Sequence, residues 1–151
     1  MNLIISKSPT INSGLLPHRV NHGGIKTFPH FLDILSFTNL HPYYTQQLSA
    51  QVWELVSYEN LKEGVVVEAI NKIVRTHDLD FERLWMNFNR TDRSIMLNLS
   101  DGINPMQNRK IATSTSFSAI KRLMKAGYVI RVNDYEIEDP FFKEWIIRNC
   151  K

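Results

Sequence analysis

The sequence contains one cysteine and no long apolar run, and both features exclude whole classes of protein. Its single thiol, Cys150, cannot close a disulfide within the chain and cannot bind a metal ion without other ligands. No segment approaches the ~18 consecutive apolar residues of a membrane-spanning helix, and the first nine residues lack the length and cleavage pattern of a signal peptide. The sequence therefore predicts a cytoplasmic protein that does not contact a membrane.

Motifs for nucleotide binding and hydrolysis are also missing. No G-x-x-x-x-G-K-[ST] sequence occurs, and the single glycine pair, Gly23-Gly24, is not followed by lysine and a hydroxyl residue. No apolar strand ends in paired acids to hold magnesium, and no G-x-S-x-G or comparable nucleophile arrangement points to a hydrolase. We therefore expect no catalytic residue, no metal site and no cofactor for this chain.

Residues 1–32 form a separate block without any acidic residue. Prolines and glycines interrupt this block too often for a helix, which predicts an irregular or disordered leader. His18, His22 and His30 have spacings of four and eight, which would place them on one helix face. Because this block is not expected to be helical, a metal site there is not predicted.

From residue 33 the apolar residues recur at helical spacing, which predicts a helical bundle over 33–88. Pro42 suits the first position of a long helix, where its missing N–H costs nothing. Asp78 is placed to cap a later helix whose apolar residues include Leu79. The side chains expected to face inward on the two longest helices are Tyr44, Leu48, Val52 and Leu55, then Val66, Ile70, Ile73 and Val74.

Aromatic and acidic residues of this bundle have two interpretations each. Tyr43, Tyr44 and Trp53 could stack on nucleic-acid bases, but aromatics at helical spacing more often fill a core, and we expect the core. The same expectation covers Trp85, Phe141, Phe142 and Trp145. Asp78, Asp80 and Glu82 near His77 resemble a ligand cluster, yet acids in a first helical turn are ordinary partners of the helix dipole.

The order of elements over 89–151 is typical of a winged helix: a helix, a second helix ending at Gly127, a tight hairpin and a last helix from Pro140. An Asn133-Asp134 loop would pair Val132 with Tyr135 across the strands. The same register pairs Arg131 with Glu136 and Ile130 with Ile137, and it turns Tyr128, Ile130, Val132, Tyr135 and Ile137 toward the core. The predicted fold class is thus mainly α, a helical bundle followed by a winged helix.

The helix before the hairpin is predicted over 114–126, with Thr113 or Ser114 as its cap. Its apolar stripe is expected to comprise Phe117, Ile120, Leu123 and Met124. Cations on and around its opposite face could contact DNA phosphates: Arg109, Lys110, Lys121, Arg122, Lys125 and Arg131. Acids at the base of the hairpin and the absence of base-reading side chains in the first helical turn disfavour DNA.

Three strings carry a resemblance to a known family: LHPYYTQQLSAQVWE at 40–54, FERLWMNF at 81–88 and YEIEDPFFKEWI at 135–146. Over about residues 33–149 the chain resembles the C-terminal part of archaeal-type ATPases of the AAA+/STAND class. In that family a P-loop domain precedes a helical lid and a winged helix. The resemblance implies that His41 and Pro42 face the nucleotide from the side opposite the P-loop, and that ATP and magnesium matter only when a P-loop domain is joined.

The sequence therefore favours a non-catalytic C-terminal module that acts through contact within a protein or between proteins. Its expected partner is a P-loop ATPase domain or another protein. A truncated gene, a degenerate relative and a cloned fragment would each give such a chain. The alternative is a free-standing winged-helix regulator that binds DNA.

Overall fold

The computed structural model describes residues 30–61, 63–107 and 112–151. These ranges form seven α-helices, one 3-10 turn and one antiparallel pair of strands, which confirms the predicted mainly α fold. No helix among them is long and apolar enough to cross a membrane. The elements are α1 (Phe31–Phe37), α2 (Pro42–Tyr58), α3 (Val65–Thr76), α4 (Asp78–Asn87), α5 (Arg90–Ser100), the 3-10 turn (Pro105–Gln107), α6 (Thr113–Lys125), β1 (Val129–Arg131), β2 (Tyr135–Ile137) and α7 (Pro140–Asn149).

Two parts of the sequence-based interpretation lie outside the described residues. One is nearly all of the predicted leader, including His18 and His22. The other is the 108–111 segment, which contains Arg109 and Lys110. The division at residue 88 into a bundle and a second unit stays a prediction.

The helices α2 and α3 agree with their predicted periodicity. Pro42 is the first residue of α2, as expected, and the predicted inward side chains of both helices are buried. The two helices pack along their length, with Leu48, Val52 and Val65 fully enclosed. Their apolar stripes therefore build one half of the core, as an amphipathic helix pair does.

The start of α4 differs from the prediction. His77 occupies the N-cap position and Asp78 is the first helical residue, so Asp78 does not cap the helix. Its carboxylate instead accepts a hydrogen bond of 2.6 Å from Nε1 of Trp145 on α7. Leu79 is exposed rather than inward, because Phe81 sets the buried face and Leu79 lies two positions away on the other side.

The orientation of α6 corrects two further expectations. Ala112 is the N-cap and no side chain caps the helix, so neither Thr113 nor Ser114 has that role. Ile120 and Leu123 are buried as predicted, but Phe117 and Met124 are exposed. Ser116 and Ala119 are buried instead, on the same side of the helix as Ile120 and Leu123, while α6 packs against α5.

The hairpin register is one residue away from the predicted one. Val129 pairs with Ile137, Ile130 with Glu136 and Arg131 with Tyr135. The connection is therefore Val132-Asn133-Asp134, not a two-residue loop. A one-residue change reverses the faces of a strand, so Val129 enters the core with Ile137 while Val132 is 68% exposed.

The aromatic residues of α4 and α7 join the two halves of the described chain. The ring of Phe142 lies 5.3 Å from Phe81 and stacks on Trp145 at 6.0 Å, measured between centroids. Phe141, Phe142 and Trp145 are buried and Trp85 packs against them, as expected for core residues. One hydrophobic cluster thus runs from α1 to α7.

Candidate docking and nucleotide-contact residues

A polar cluster lies where α2 begins and β2 leads into α7. Asn39 and Leu40 have left-handed backbone angles that turn the chain from α1 into α2. This turn places His41 and Tyr44 beside Glu138, whose carboxylate accepts a 2.6 Å hydrogen bond from the Tyr44 hydroxyl. His41 Nε2 lies 3.5 Å from the other oxygen of the same carboxylate. We call His41, Tyr44 and Glu138 the His41 cluster.

Burial raises the pKa of two groups at this cluster, Tyr44 and Asp139. Desolvation, followed by the hydrogen bond to Glu138, raises the pKa of the Tyr44 phenol, so Tyr44 remains a proton donor. Desolvation also raises the pKa of Asp139. As the N-cap of α7, the Asp139 carboxylate accepts hydrogen bonds from the backbone amides of Phe142 and Phe141, and these hydrogen bonds act in the opposite direction on its pKa. The His41 cluster therefore joins the start of α2 to the residue that precedes the cap of α7 through the hydrogen bond from Tyr44 to Glu138.

The predicted nucleotide contact can be located on this junction. Pro42 is exposed at the start of α2, and His41 directs Nε2 at the Glu138 carboxylate. Nδ1 of His41 is buried without a hydrogen-bond partner among the described residues. A phosphate group approaching Nε2 would meet the negative charge of Glu138, which opposes phosphate binding there. The contact implied by the resemblance stays a prediction.

Two of the four predicted DNA-contacting cations that lie in the described residues are engaged within the protein. Arg122 donates from Nη2 to Asp92 Oδ1 at 2.5 Å and from Nε to Asp92 Oδ2 at 3.3 Å. Asp92 is 5% exposed, so this bidentate pair ties α6 to a nearly buried carboxylate on α5. Arg131 lies over the ring of Tyr135 and does not form the predicted pair with Glu136. Of the predicted cations that are described, Lys121 and Lys125 remain on the outer face of α6.

The exposed apolar side chains of α6 flank these lysines. Phe117 is 46% and Met124 38% exposed, and Lys121 Nζ lies 5.4 Å from the centre of the Phe117 ring. Phe117, Lys121 and Met124 are spaced i, i+4 and i+7, which places them in one row along the helix. We call Phe117, Lys121, Met124 and Lys125 the α6 face.

Part of α2 is also more exposed than expected. Tyr43 and Trp53 are 64% and 54% exposed, so the expectation that they fill the core is wrong, whereas it is right for Tyr44. Within the described residues α2 packs mainly on α1 and α3 through its buried stripe, and Tyr43 and Trp53 lie outside that stripe. A shallow apolar groove beside Trp53 is lined by Phe31, Ile34, Gln46, Ser49, Ala50 and Trp53.

Sequence reasoning missed several residues of these sites. Asp139 precedes Pro140, and an acid directly before a helix-initiating proline is a signal from which its capping role could have been predicted. The pairing of Asp92 with Arg122 spans thirty positions and has no local signal. The exposure of Phe117 follows from the rotation of α6 against α5, which periodicity alone does not define.

Neither a metal site nor a known relative indicates a function for the described residues. Across 30–61, 63–107 and 112–151, no three His, Cys, Asp or Glu side chains are grouped to hold a metal ion, the residues near His77 included. Comparison with protein-family models, curated proteins and solved structures finds no match to this chain.

Proposed function

We propose that this chain is a non-catalytic module of a P-loop ATPase-like protein, acting through protein–protein contact, with residues 89–151 folded as a winged helix. One observation carries the proposal. The three strings that resemble the ATPase family lie far apart in the sequence but pack together in the structure. A lid and a winged helix that act together would require these strings to share one core.

The contacts between these strings are specific. Tyr44, from the first string, donates to Glu138 and packs its ring 6.0 Å from Phe141, both in the third string. Phe81, from the second string, packs against Phe142 and Trp145 of the third. Such a shared core would let movement of the helical lid reach the last helix, which is what a module that responds to a nucleotide domain requires.

The order and packing of the last elements support the winged-helix part of the proposal. Helices α5 and α6 pack on each other, and the hairpin of β1 and β2 follows α6 and contacts α5. Helix α7 then closes the unit against α3 and α4. In the proposed winged helix, α6 would be the helix that enters the major groove in DNA-binding proteins of that fold.

The charges favour a protein partner over DNA. Arg122 is neutralised by Asp92, and the hairpin carries Asp134, Glu136 and Glu138, whose charge repels phosphates. A DNA-binding regulator nevertheless remains the second candidate, because Lys121 and Lys125 are exposed in the position where phosphate contacts would form.

Affinity purification tests the leading proposal. The tagged chain is isolated from cells that express it, with and without Mg·ATP, and the co-purifying proteins are identified by mass spectrometry. We expect a protein with a Walker A motif whose recovery depends on the nucleotide. Trp145→Ala, which breaks the shared core, is the variant expected to lose it, and Leu79→Ser, on an exposed position of α4, is the control. Absence of any P-loop protein from the wild-type sample contradicts the proposal.

Gel retardation tests the second candidate. A regulator would retard duplex DNA at low salt, and the retardation would weaken when Lys121 and Lys125 are replaced together. We expect no retardation at low salt. A complex that forms and weakens steeply with added salt would favour the regulator, because each phosphate contact releases counterions.

A further inference from the structure

We propose that the α6 face binds an acidic amphipathic helix of a partner protein. This inference rests on the proposed function, since it names the surface and the partner chemistry of a docking module. It concerns four side chains within three turns of one helix: Phe117, Lys121, Met124 and Lys125.

The apolar part of the surface supplies the anchors. Phe117 and Met124 are two turns apart in one row, and each remains accessible although Ile120 beside them is buried. An aromatic ring and a flexible thioether are side chains that contribute strongly to protein interfaces and adapt to a partner's shape. A partner helix with apolar side chains at i, i+3, i+4 and i+7 would cover this row.

The positive charge of the α6 face indicates that its partner carries negative charge. Lys121 and Lys125 lie one turn apart, and neither has an ion-pair partner within the described part of the chain. The neighbouring Arg122 differs, because Asp92 already neutralises it. Two uncompensated cations beside two apolar anchors match a helix that carries carboxylates along the edge of an apolar stripe. Duplex DNA would satisfy the lysines but would leave Phe117 and Met124 without apolar partners.

A surface of this size predicts weak binding. A single exposed helix face buries less than the roughly 1,200 Å² at which stable complexes begin, so a transient, micromolar complex is expected. Weak binding suits a contact that forms and breaks with the state of a nucleotide domain.

Fluorescence anisotropy with defined probes tests the inference on the full chain. Two labelled peptides of about 18 residues share one leucine stripe and differ only in having glutamate or lysine beside it; this length favours a helix. A labelled DNA duplex is the third probe. We expect the glutamate peptide to bind about tenfold or more tightly than the lysine peptide, from two exposed ion pairs gained and two repulsions avoided.

Charge reversal makes the test decisive. Lys121→Glu with Lys125→Glu should invert the preference between the peptides, while Phe117→Ser should weaken both. The control, Arg83→Glu with Leu79→Ser, changes an exposed cation and an exposed apolar residue on α4 and should change nothing. Circular dichroism verifies that each variant is folded.

Three outcomes overturn the inference: equal binding of both peptides, an unchanged preference in the charge-reversed variant, or DNA binding that depends on the two lysines. Failure here is distinct from failure of the proposed function. If a P-loop partner still co-purifies with the charge-reversed variant, the α6 face is not the docking surface, and the proposed function stands. If the peptide preference holds but no P-loop partner co-purifies with the wild type, the α6 face stands as a docking surface and the proposed function is wrong.

Discussion

The pair of Arg122 and Asp92 allows the sharpest test of how α6 is held on α5. Replacing Arg122 with alanine leaves a carboxylate that is 5% exposed without its two charge-assisted hydrogen bonds. Breaking a fully buried pair costs about 3–5 kcal/mol, and exposed pairs contribute about 0.2–1 kcal/mol. The Arg122 side chain is 53% exposed, so the cost lies between these limits, at about 2 kcal/mol for the free energy of unfolding.

A double-mutant cycle in urea measures this interaction directly. Arg122→Ala and Asp92→Ala should each cost about 2 kcal/mol, and the double variant should cost far less than their sum, which gives a coupling energy above about 1 kcal/mol. With a typical urea slope, each single change lowers the midpoint by roughly 1 M. Lys125→Ala, on an exposed position of the same helix, should stay within about 0.5 kcal/mol of wild type.

Additive costs in the cycle would refute the reasoning. They would mean that Arg122 does not interact with Asp92. Arg122 would then be available, with Lys121 and Lys125, as a third cation of α6 to contact DNA phosphates. Coupling of the expected size identifies Arg122 as a structural residue and leaves Lys121 and Lys125 as the two cations of α6 without an ion-pair partner in the described residues.

Three further predictions concern the His41 cluster, the hairpin and α7. Tyr44→Phe should lower the unfolding free energy by about 1–2 kcal/mol, because it removes a hydrogen bond to a carboxylate, whereas Tyr43→Phe should be neutral in the same denaturation assay. Val129→Ala should cost about 2 kcal/mol and Val132→Ala almost nothing. The predicted two-residue loop would bury Val132 and expose Val129, so a larger cost for Val132→Ala in the same denaturation assay would restore that register. Burial raises the pKa of Asp139 above its ordinary 3.8, so the folded state binds this proton more tightly than the unfolded chain does. The free energy of unfolding therefore falls as pH rises from the unfolded pKa through the folded pKa. Asp139→Asn should remove this fall in urea titrations from about pH 4 upward, and an unchanged pH profile would contradict the raised pKa of Asp139.

The helices that could be predicted from the sequence are those with strong local signals. The helix α2 begins at Pro42 and shows a full apolar period, and α7 begins at Pro140 after an acidic cap, so both follow from residues within one or two turns. The apolar stripe of α3 is equally clear. Local sequence determines these elements because their periodicity and end signals agree.

The hairpin register could not be predicted in the same way. Val129, Ile130 and Val132 are all apolar, so the strand has apolar residues for either face, and alternation alone does not choose between them. The packing of Val129 and Ile137 against the core decides the register. The rotation of α6 is similar, since the buried side of the helix includes the small residues Ser116 and Ala119, which an apolar stripe does not indicate.

The sites depend on contacts between distant residues, which explains why sequence reasoning found only part of them. The exposed positions of Lys121 and Lys125 follow from their helical spacing. The cluster of His41, Tyr44 and Glu138 joins positions more than ninety residues apart, so no local pattern reports it. Helical periodicity indicates a core position for Phe117 and Met124, because it describes an apolar stripe but not the direction in which the stripe faces.

The most direct test of the central claim is photo-crosslinking from position 117 in cells that express the protein. A photoreactive phenylalanine replaces Phe117, and the same group at Leu79 on α4 is the control. The account predicts a cross-link to an acidic helical segment of a protein that carries a Walker A motif, and its loss when Lys121 and Lys125 are changed to glutamate. Cross-links to DNA, or an identical set of products from position 79, would contradict the account.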